Sequence, residues 1–256
     1  MCSDFWQTQA AEHGFDVKAV NFDSVEEELE IHFLKGLFED DDVVCDIGCG
    51  NGRTTLELAM RYPDAKFYGL DSSENMIKSA VQQKTKLGIS NVCFKVADAS
   101  FANLPSVFDV KFSKILTKRL LINVKGDSKR EVVKSINAML QENGTYIMVE
   151  CFLEPLHKTN EVRKILDLPV IKVKSFNEYL TQDFFDVVEQ YFVVEKKIDF
   201  GSFYYFTSRV FNAALSEGEP KYDAPINKLC ASLIKSGICP IDGYAPENIY
   251  ILTKKN

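Results

Sequence analysis

The sequence contains neither a run of about 18 apolar residues nor a basic stretch followed by an apolar one near its start. We therefore expect no membrane span and no secretory signal. It also has no C-x-x-C pair, and several cysteines lie within apolar runs, where a thiol behaves as a small buried hydrophobic group. The cysteines are Cys2, Cys45, Cys49, Cys93, Cys151, Cys230 and Cys239. These absences predict a cytoplasmic protein with reduced thiols.

An excess of basic residues is missing as well. Lysine and arginine number 30 against 37 aspartates and glutamates, which gives a net charge of -7. A protein that grips a nucleic-acid duplex needs a basic face, so we expect a small-molecule substrate and no nucleic-acid partner. There is no H-E-x-x-H motif, cysteine cluster or paired carboxylate motif, and we predict no metal.

Short apolar runs alternate with amphipathic helical patterns through the middle of the chain, as in 43–47 followed by 54–60 and 66–70 followed by 74–87. Strands that are separated by helices form parallel sheets with crossover connections. The pattern predicts an α/β fold with a doubly wound, mostly parallel, seven-stranded sheet. We expect one domain, 1–256, with an N-terminal helical cap (1–40), a core (41–198), a helical insertion or lid (199–247) and a last strand (248–256).

Local signals give finer predictions. Ser24 and Glu27 have the spacing of a capping box, which predicts that Ser24 caps the second helix. The fourth strand opens at either Phe108 or Phe112. Residues 176–191 have a helical pattern, and the insertion has helical patterns at 203–215 and 226–235.

Three glycines, Gly48, Gly50 and Gly52, follow the first predicted strand and precede a helix. Glycine at such a turn lets the backbone approach a ligand closely, although the same run also suits a plain tight turn. The dinucleotide fingerprint G-x-G-x-x-G requires a small residue at position 53, which is Arg53, and the phosphate-loop motif is absent. What remains is a G-x-G-x-G loop preceded by Asp46, a carboxylate suited to a cationic or amine-bearing ligand.

Two more carboxylates follow the next strands. Asp71 ends the second strand, where it can accept hydrogen bonds from both hydroxyls of a ribose. Asp98 stands at the tip of the third, placed to accept the exocyclic amine of a purine. Because parallel strands end at the same edge of the sheet, these groups are expected to surround one nucleoside ligand.

The segments "VVCDIGCGNG", "YGLDSSENMI", "VADAS" and "NGTYIMVE" resemble the motifs of class I S-adenosylmethionine-dependent methyltransferases. The resemblance covers about residues 27–150 and implies a Rossmann-like methyltransferase fold that binds S-adenosylmethionine and releases S-adenosylhomocysteine. It implies that Asp46, Gly48 and Gly50 line the methionine portion, Asp71 holds the ribose, Met76 flanks the adenine, and Asp98 and Ala99 contact its edge. Cys49, Asn51, Gly52 and Ser72 complete the implied cofactor-binding set.

Residues beyond the cofactor motifs are candidates for the methyl acceptor. Glu150, His157 and Arg119 are the catalytic candidates, with His157 expected in a loop after the fifth strand. Thr117, Arg119, Tyr204, Tyr205 and Arg209 are the substrate candidates. For Arg119 the alternative is a surface helix start with solvated charges, and for the aromatic residues of the insertion it is the core of the cap. An arginine suits an anion, because guanidinium binds oxyanions in a bidentate manner.

The segments "FDVKAVNFDSVEEELE", "TKRLLIN" and "SFYYFTSRV" are similar, more loosely, to methyltransferases of bacterial surface-polysaccharide pathways. This similarity implies transfer to a hydroxyl of a sugar or phosphorylated glycan precursor. Two alternatives stay open, namely N-methylation of a small amine and a protein that binds the cofactor without turnover.

Overall fold

A computed structural model describes residues 2–16, 23–100 and 104–255. The strands are β1 (Val43–Ile47), β2 (Lys66–Asp71), β3 (Val92–Val96), β4 (Phe112–Lys118), β5 (Leu140–Cys151), β6 (Phe192–Ile198) and β7 (Glu247–Lys254). The helices are α1 (Cys2–His13), α2 (Ser24–Leu34), α3 (Arg53–Arg61), α4 (Glu74–Leu87), α5 (Ser128–Met139), α6 (Leu153–Ile165), α7 (Phe185–Val188), α8 (Ser202–Phe206), α9 (Ala213–Leu215) and α10 (Pro225–Lys235). Short 3-10 turns occupy Leu104–Ser106, Leu121–Asn123 and Gln182–Phe184, and a π-helix occupies Thr207–Asn212.

The seven strands form one sheet in the order β3-β2-β1-β4-β5-β7-β6. β1 to β5 pair in parallel, whereas β7 runs antiparallel to both β5 and β6. The predicted doubly wound, mostly parallel sheet is confirmed. Its strand order reverses between β1 and β4, and open α/β sheets bind their ligands at such a switch point.

Alternate residues of the strands point to two apolar layers, because successive side chains lie on opposite faces of a sheet. In β1, Cys45 and Ile47 join the layer under α5 and α7, whereas Val44 joins the layer under α2, α3 and α10. Both faces of the sheet are therefore covered by helices, and the strand ends are left to form a site. None of the helices in the described part of the chain combines the length and apolar character that crossing a bilayer needs.

The two helices predicted at 203–215 and 226–235 are confirmed within a residue at their starts. α8, the π-helix and α9 make one continuous helical segment over 202–215, and α10 covers 225–235. Of the two openings proposed for the fourth strand, Phe112 is the observed one.

Three local predictions are wrong. Asp23 rather than Ser24 caps α2, since its carboxylate accepts hydrogen bonds from the backbone N–H groups of Val25 and Glu26. The segment expected to be a loop after β5 is α6, so His157 is helical and exposed. Residues 176–181 are not helical, because Leu180 exchanges backbone hydrogen bonds with the end of β5 and the start of α6.

Candidate functional site

A cavity of about 940 Å³ opens at the carboxyl ends of the parallel strands, next to the switch point between β1 and β4. One half is walled by the glycine loop and the ends of β2 and β3. The other half is walled by the start of α2, the end of β4, the π-helix and the start of β7. Phe5 and Trp6 of α1 lie on the cavity together with Phe176, on which Phe5 stacks at 4.4 Å between ring centroids.

The three glycines of the loop are required for two different reasons, which are helix packing and access of the backbone to the cavity. Gly48, Gly50 and Gly52 all have positive φ, at 79°, 54° and 76°. A Cβ on Gly52 would lie 2.7 Å from the Cβ of Ala80 and 2.8 Å from Phe94, so this position is fixed by helix packing. Gly48 and Gly50 line the cavity, whereas Gly52 does not, so only the first two can offer backbone to a ligand.

Asp71 ties the end of β2 to that loop. Its carboxylate accepts hydrogen bonds from the N–H of Gly50 at 2.9 Å and of Ser73 at 2.8 Å. Burial raises the pKa of Asp71, and the two backbone hydrogen bonds oppose the rise. The side chain lines the cavity, where its oxygens have capacity for further donors.

The remaining members of the predicted nucleoside pocket surround Asp71. Met76 is buried on α4, Ser72 and Ala99 lie on the cavity wall, and Asp98 follows β3. The carboxylate of Asp98 accepts hydrogen bonds from the N–H and the hydroxyl of Ser100. The predicted grouping of three strand ends around one cavity is thus what the structure has.

Asp46 and its neighbours close the inner end of this half. The Asp46 carboxylate accepts a 2.6 Å hydrogen bond from Thr55, and burial raises its pKa to about 6. Burial also raises the pKa of the Cys49 thiol, which lines the cavity as a neutral group. Asn51 donates to the backbone carbonyls of Gly14 and Asp16, which fastens the segment after α1 to the glycine loop.

The other half of the cavity is lined by charged groups that pair with one another. Lys118 ends β4 and Arg119 follows it, and both contact Glu30 of α2, at 2.7 and 2.6 Å. Arg119 also donates to Glu247 of β7 at 2.7 Å. Burial would raise the pKa of Glu30, but Arg119 and Lys118 outweigh it and hold the pKa below its ordinary value.

Arg209 lies on the π-helix and is paired in the same way. Its guanidinium donates to Asp23 at 2.8 Å and lies over the rings of Tyr205 and Tyr222, at 5.0 and 4.4 Å from the centroids. The guanidinium of Arg163 donates to the backbone carbonyl of Arg209, within the widened turn of the π-helix. π-turns often mark functional positions, and this one directs Arg209 at the cavity.

Four of the predicted acceptor residues do not line the cavity. Thr117 is buried against the hydroxyl of Tyr146, Tyr204 is buried and bonds Asp23, and His157 is exposed on α6. Glu150 is fully buried and accepts hydrogen bonds from the backbone N–H groups of residues 120–122. Glu150 therefore holds the loop after β4, while Arg119, Tyr205 and Arg209 do reach the cavity.

Several residues that line the cavity are not predicted by the sequence. The most relevant are Asp23, Glu26 and Glu247, which bring carboxylates to the arginines, and Tyr222, which stacks on Arg209. The capping-box pattern predicts that Glu26 lies on α2, but it gives no signal that the side chain faces a cavity. The described residues hold no group of three or more His, Cys, Asp or Glu side chains arranged for a metal ion.

Comparisons with known proteins agree with this geometry. Residues 38–200 match the model of a family described as a methyltransferase domain. A carboxy-S-adenosyl-L-methionine synthase of Nautilia profundicola is 26% identical over 152 residues, which are 59% of this chain and 62% of that protein. A tRNA (guanine-N(7)-)-methyltransferase of Bacteroides fragilis is 23% identical over 184 residues, covering 61% and 72% of the two chains.

Among solved structures, a magnesium protoporphyrin IX methyltransferase from Synechocystis with bound S-adenosylhomocysteine has a TM-score of 0.56 at 13% identity. The alignment covers 98% of this chain and 94% of that one, which confirms the Rossmann-like methyltransferase fold. The chain spans less than two thirds of the length of the curated synthases that it matches.

Proposed function

The chain belongs to the methyltransferase domain family, and on that premise we propose that it binds S-adenosylmethionine and transfers its methyl group to a small polar acceptor. The observation that supports this most is the convergence of the glycine loop, Asp71 and Asp98 on one half of a cavity whose other half is separately lined.

The residues present fit this cofactor. Gly48 and Gly50 present backbone to the cavity, and a Cβ at Gly48 would lie 2.9 Å from Leu120, so the cradle has no room for a side chain. Asp71 would hold the ribose hydroxyls, Asp98 and Ala99 the edge of the adenine, Met76 its face, and Asp46 the amino group of the methionine portion. The bound cofactor would supply an activated methyl group, and this chain would orient the acceptor and exclude water.

Two candidate acceptors are distinguished by the charged half of the cavity. A sugar or glycan precursor with an anionic group, the candidate from the sequence, would need an arginine that is available to it. Arg119 and Arg209 line the cavity, but each already donates to carboxylates. A small amine is the second candidate, and it is favoured by Glu26, a carboxylate on the same wall.

Isothermal titration with S-adenosylmethionine and S-adenosylhomocysteine tests the cofactor. We expect both to bind. If neither binds to protein whose circular dichroism spectrum is folded, the proposed function is wrong.

Turnover needs a second experiment. The protein is incubated with methyl-labelled cofactor and a bacterial metabolite extract, and labelled products are identified by mass spectrometry. We expect one class of labelled small molecule. Cofactor binding without any labelled product would instead support a protein that binds the cofactor and does not turn it over.

A further inference from the structure

Among the described residues, the cations Lys118, Arg119 and Arg209 contact four carboxylates at the charged half of the cavity, which are Asp23, Glu26, Glu30 and Glu247. Lys118 and Arg119 share Glu30, and Arg119 also holds Glu247. Arg209 is held by Asp23. The carboxylate of Glu26 lies farther from a cation than the other three, at 3.9 Å from Arg209.

Glu26 lies in the first turn of α2 and lines the cavity. Its side chain is 13% exposed, and its Oε2 lies 3.9 Å from Arg209, beyond hydrogen-bonding distance. No residue in the described part of the chain donates a hydrogen bond to this carboxylate, whereas Asp23, Glu30 and Glu247 each accept at least one. A buried carboxylate without donors is costly, so a donor supplied by a ligand would be strongly favoured.

The surroundings of Glu26 suit a compact cation. Tyr179, Tyr205 and Tyr222 line the same part of the cavity, and tyrosine rings attract cations through their faces. The faces of Tyr205 and Tyr222 are already occupied by Arg209, which leaves the carboxylate as the strongest unfilled contact.

We propose that the acceptor is a small amine whose ammonium group pairs with Glu26, and that Glu26 then takes the proton that the nitrogen must lose before methylation. This inference depends on the proposed function. The N–H bond breaks, the proton passes to a carboxylate oxygen of Glu26, and the electron pair left on nitrogen forms the new bond to the methyl carbon. The methyl carbon's bond to sulfur breaks, and that electron pair stays on sulfur.

The pKa of Glu26 suits both pairing with an ammonium group and accepting its proton. Burial, with repulsion from Asp23, raises its pKa to about 7, against the attraction of Arg209 and Arg119. A proton acceptor works best when its pKa is close to the working pH. Among the described residues, the charged and titratable groups that face Glu26 are Asp23, Glu30, Arg119, Cys151, Tyr179, Tyr204, Tyr205, Arg209 and Glu247.

The affinity for an amine should depend on pH, because Glu26 and the amine change charge in different pH ranges. Below about pH 7 a growing fraction of Glu26 is neutral and cannot pair with an ammonium group. Aliphatic amines stay protonated up to about pH 10. Amine binding should therefore strengthen as the pH rises through about 7 and weaken only when the amine itself deprotonates.

Ligand-observed NMR on protein saturated with S-adenosylhomocysteine tests the inference. The probes are primary and secondary alkyl amines, each measured beside the alcohol in which a hydroxyl replaces the amine. Three proteins are compared: wild type, Glu26→Gln, and the control Glu28→Gln, whose side chain is 66% exposed on the same helix. Circular dichroism and the affinity for S-adenosylhomocysteine confirm that each variant is folded and loaded.

We expect amines to bind at least about tenfold more tightly than their alcohols to wild type and to the Glu28→Gln control. Glu26→Gln should lose that preference and its rise through pH 7 while keeping its affinity for S-adenosylhomocysteine. Equal binding of amines and alcohols to wild type, or an amine preference that survives in Glu26→Gln, overturns the inference and leaves the proposed function intact. A folded protein that binds no S-adenosylhomocysteine overturns the proposed function and the inference with it.

Discussion

Replacing Glu150 with glutamine separates a structural carboxylate from a catalytic one. Glu150 is fully buried, and its Oε1 accepts hydrogen bonds at 2.9 Å from the N–H groups of Leu120 and Leu121. The amide oxygen of glutamine can accept the same two bonds without carrying a charge. The variant should therefore fold with the loop after β4 in place.

The pH dependence of stability gives the prediction its magnitude. Burial raises the pKa of Glu150 from 4.5 to about 7, although the backbone hydrogen bonds of residues 120–122 oppose the rise. Between those values the unfolded chain releases the proton and the folded protein keeps it, so the contribution of Glu150 to stability falls as the pH rises. At about 1.4 kcal/mol per pH unit, the loss approaches about 3 kcal/mol above pH 7.

Urea unfolding, followed by circular dichroism at several pH values between about 5 and about 8, measures this effect. The quantity to compare is the difference in free energy of unfolding between Glu150→Gln and wild type, because Glu26 and Asp46 titrate in the same range in both proteins. We expect the free energy of unfolding of Glu150→Gln to rise relative to that of wild type as the pH rises. Glu150→Ala should be less stable than Glu150→Gln by about 2–4 kcal/mol at every pH, since the backbone N–H groups of residues 120–122 lose their acceptor and neither variant titrates at this position.

A difference that stays constant with pH, or that moves in favour of wild type at high pH, would refute the reasoning. It would mean that the backbone hydrogen bonds outweigh burial and that Glu150 is ionised in the folded protein. An intact, equally stable Glu150→Gln variant that still loses turnover would return Glu150 to the catalytic candidates.

Three further outcomes follow from single contacts. Asp71→Ala should weaken S-adenosylhomocysteine binding by about tenfold or more in calorimetry, because the ribose loses its acceptor and the glycine loop its brace; unchanged affinity contradicts this. Gly52→Ala should lower the free energy of unfolding by about 2–4 kcal/mol, and Gly88→Ala, at a positive φ with open space around it, by only about 1 kcal/mol; equal losses in denaturant titrations argue against a clash. Asn51→Ala should speed amide exchange in residues 2–16 by mass spectrometry with little change in global stability, and unaltered exchange would mean that α1 is held elsewhere.

The secondary structure of the periodic segments could be predicted, because in them the local sequence pattern and the tertiary contacts favour the same structure. β1 and β2 begin at residues 43 and 66, where their predicted runs begin, and the insertion helices are within a residue of their predicted starts. Prediction failed where distant backbone supplied the hydrogen bonds. Residues 176–181 have helical spacing, but the end of β5 and the start of α6 offer Leu180 an alternative partner for both its N–H and its carbonyl.

The two halves of the site differ in how far the sequence predicts them. The cofactor half could be predicted, because each parallel strand delivers the residues at its own end to one edge and their order is visible in the chain. The acceptor half could not be predicted, because it is built from α2 near the start of the sequence and β7 near its end, which meet at β4 only in the folded protein. Glu30 and Glu247 meet Arg119 across 89 and 128 residues of chain.

Those long-range contacts also decide what an arginine at a strand end can do. A guanidinium that is mostly removed from water, as Arg119 is, costs several kcal/mol unless carboxylates compensate it. Glu30 and Glu247 provide that compensation, since both accept hydrogen bonds from Nη1 of Arg119. Arg119 also adopts a positive φ of 51°, which turns the chain after β4 so that Leu120 and Leu121 reach Glu150. Its pairing therefore fixes the shape of the cavity. If the acceptor is an amine, as we propose, the carboxylate that selects it is Glu26 of α2, which lies 3.9 Å from Arg209 and accepts no hydrogen bond from the described residues.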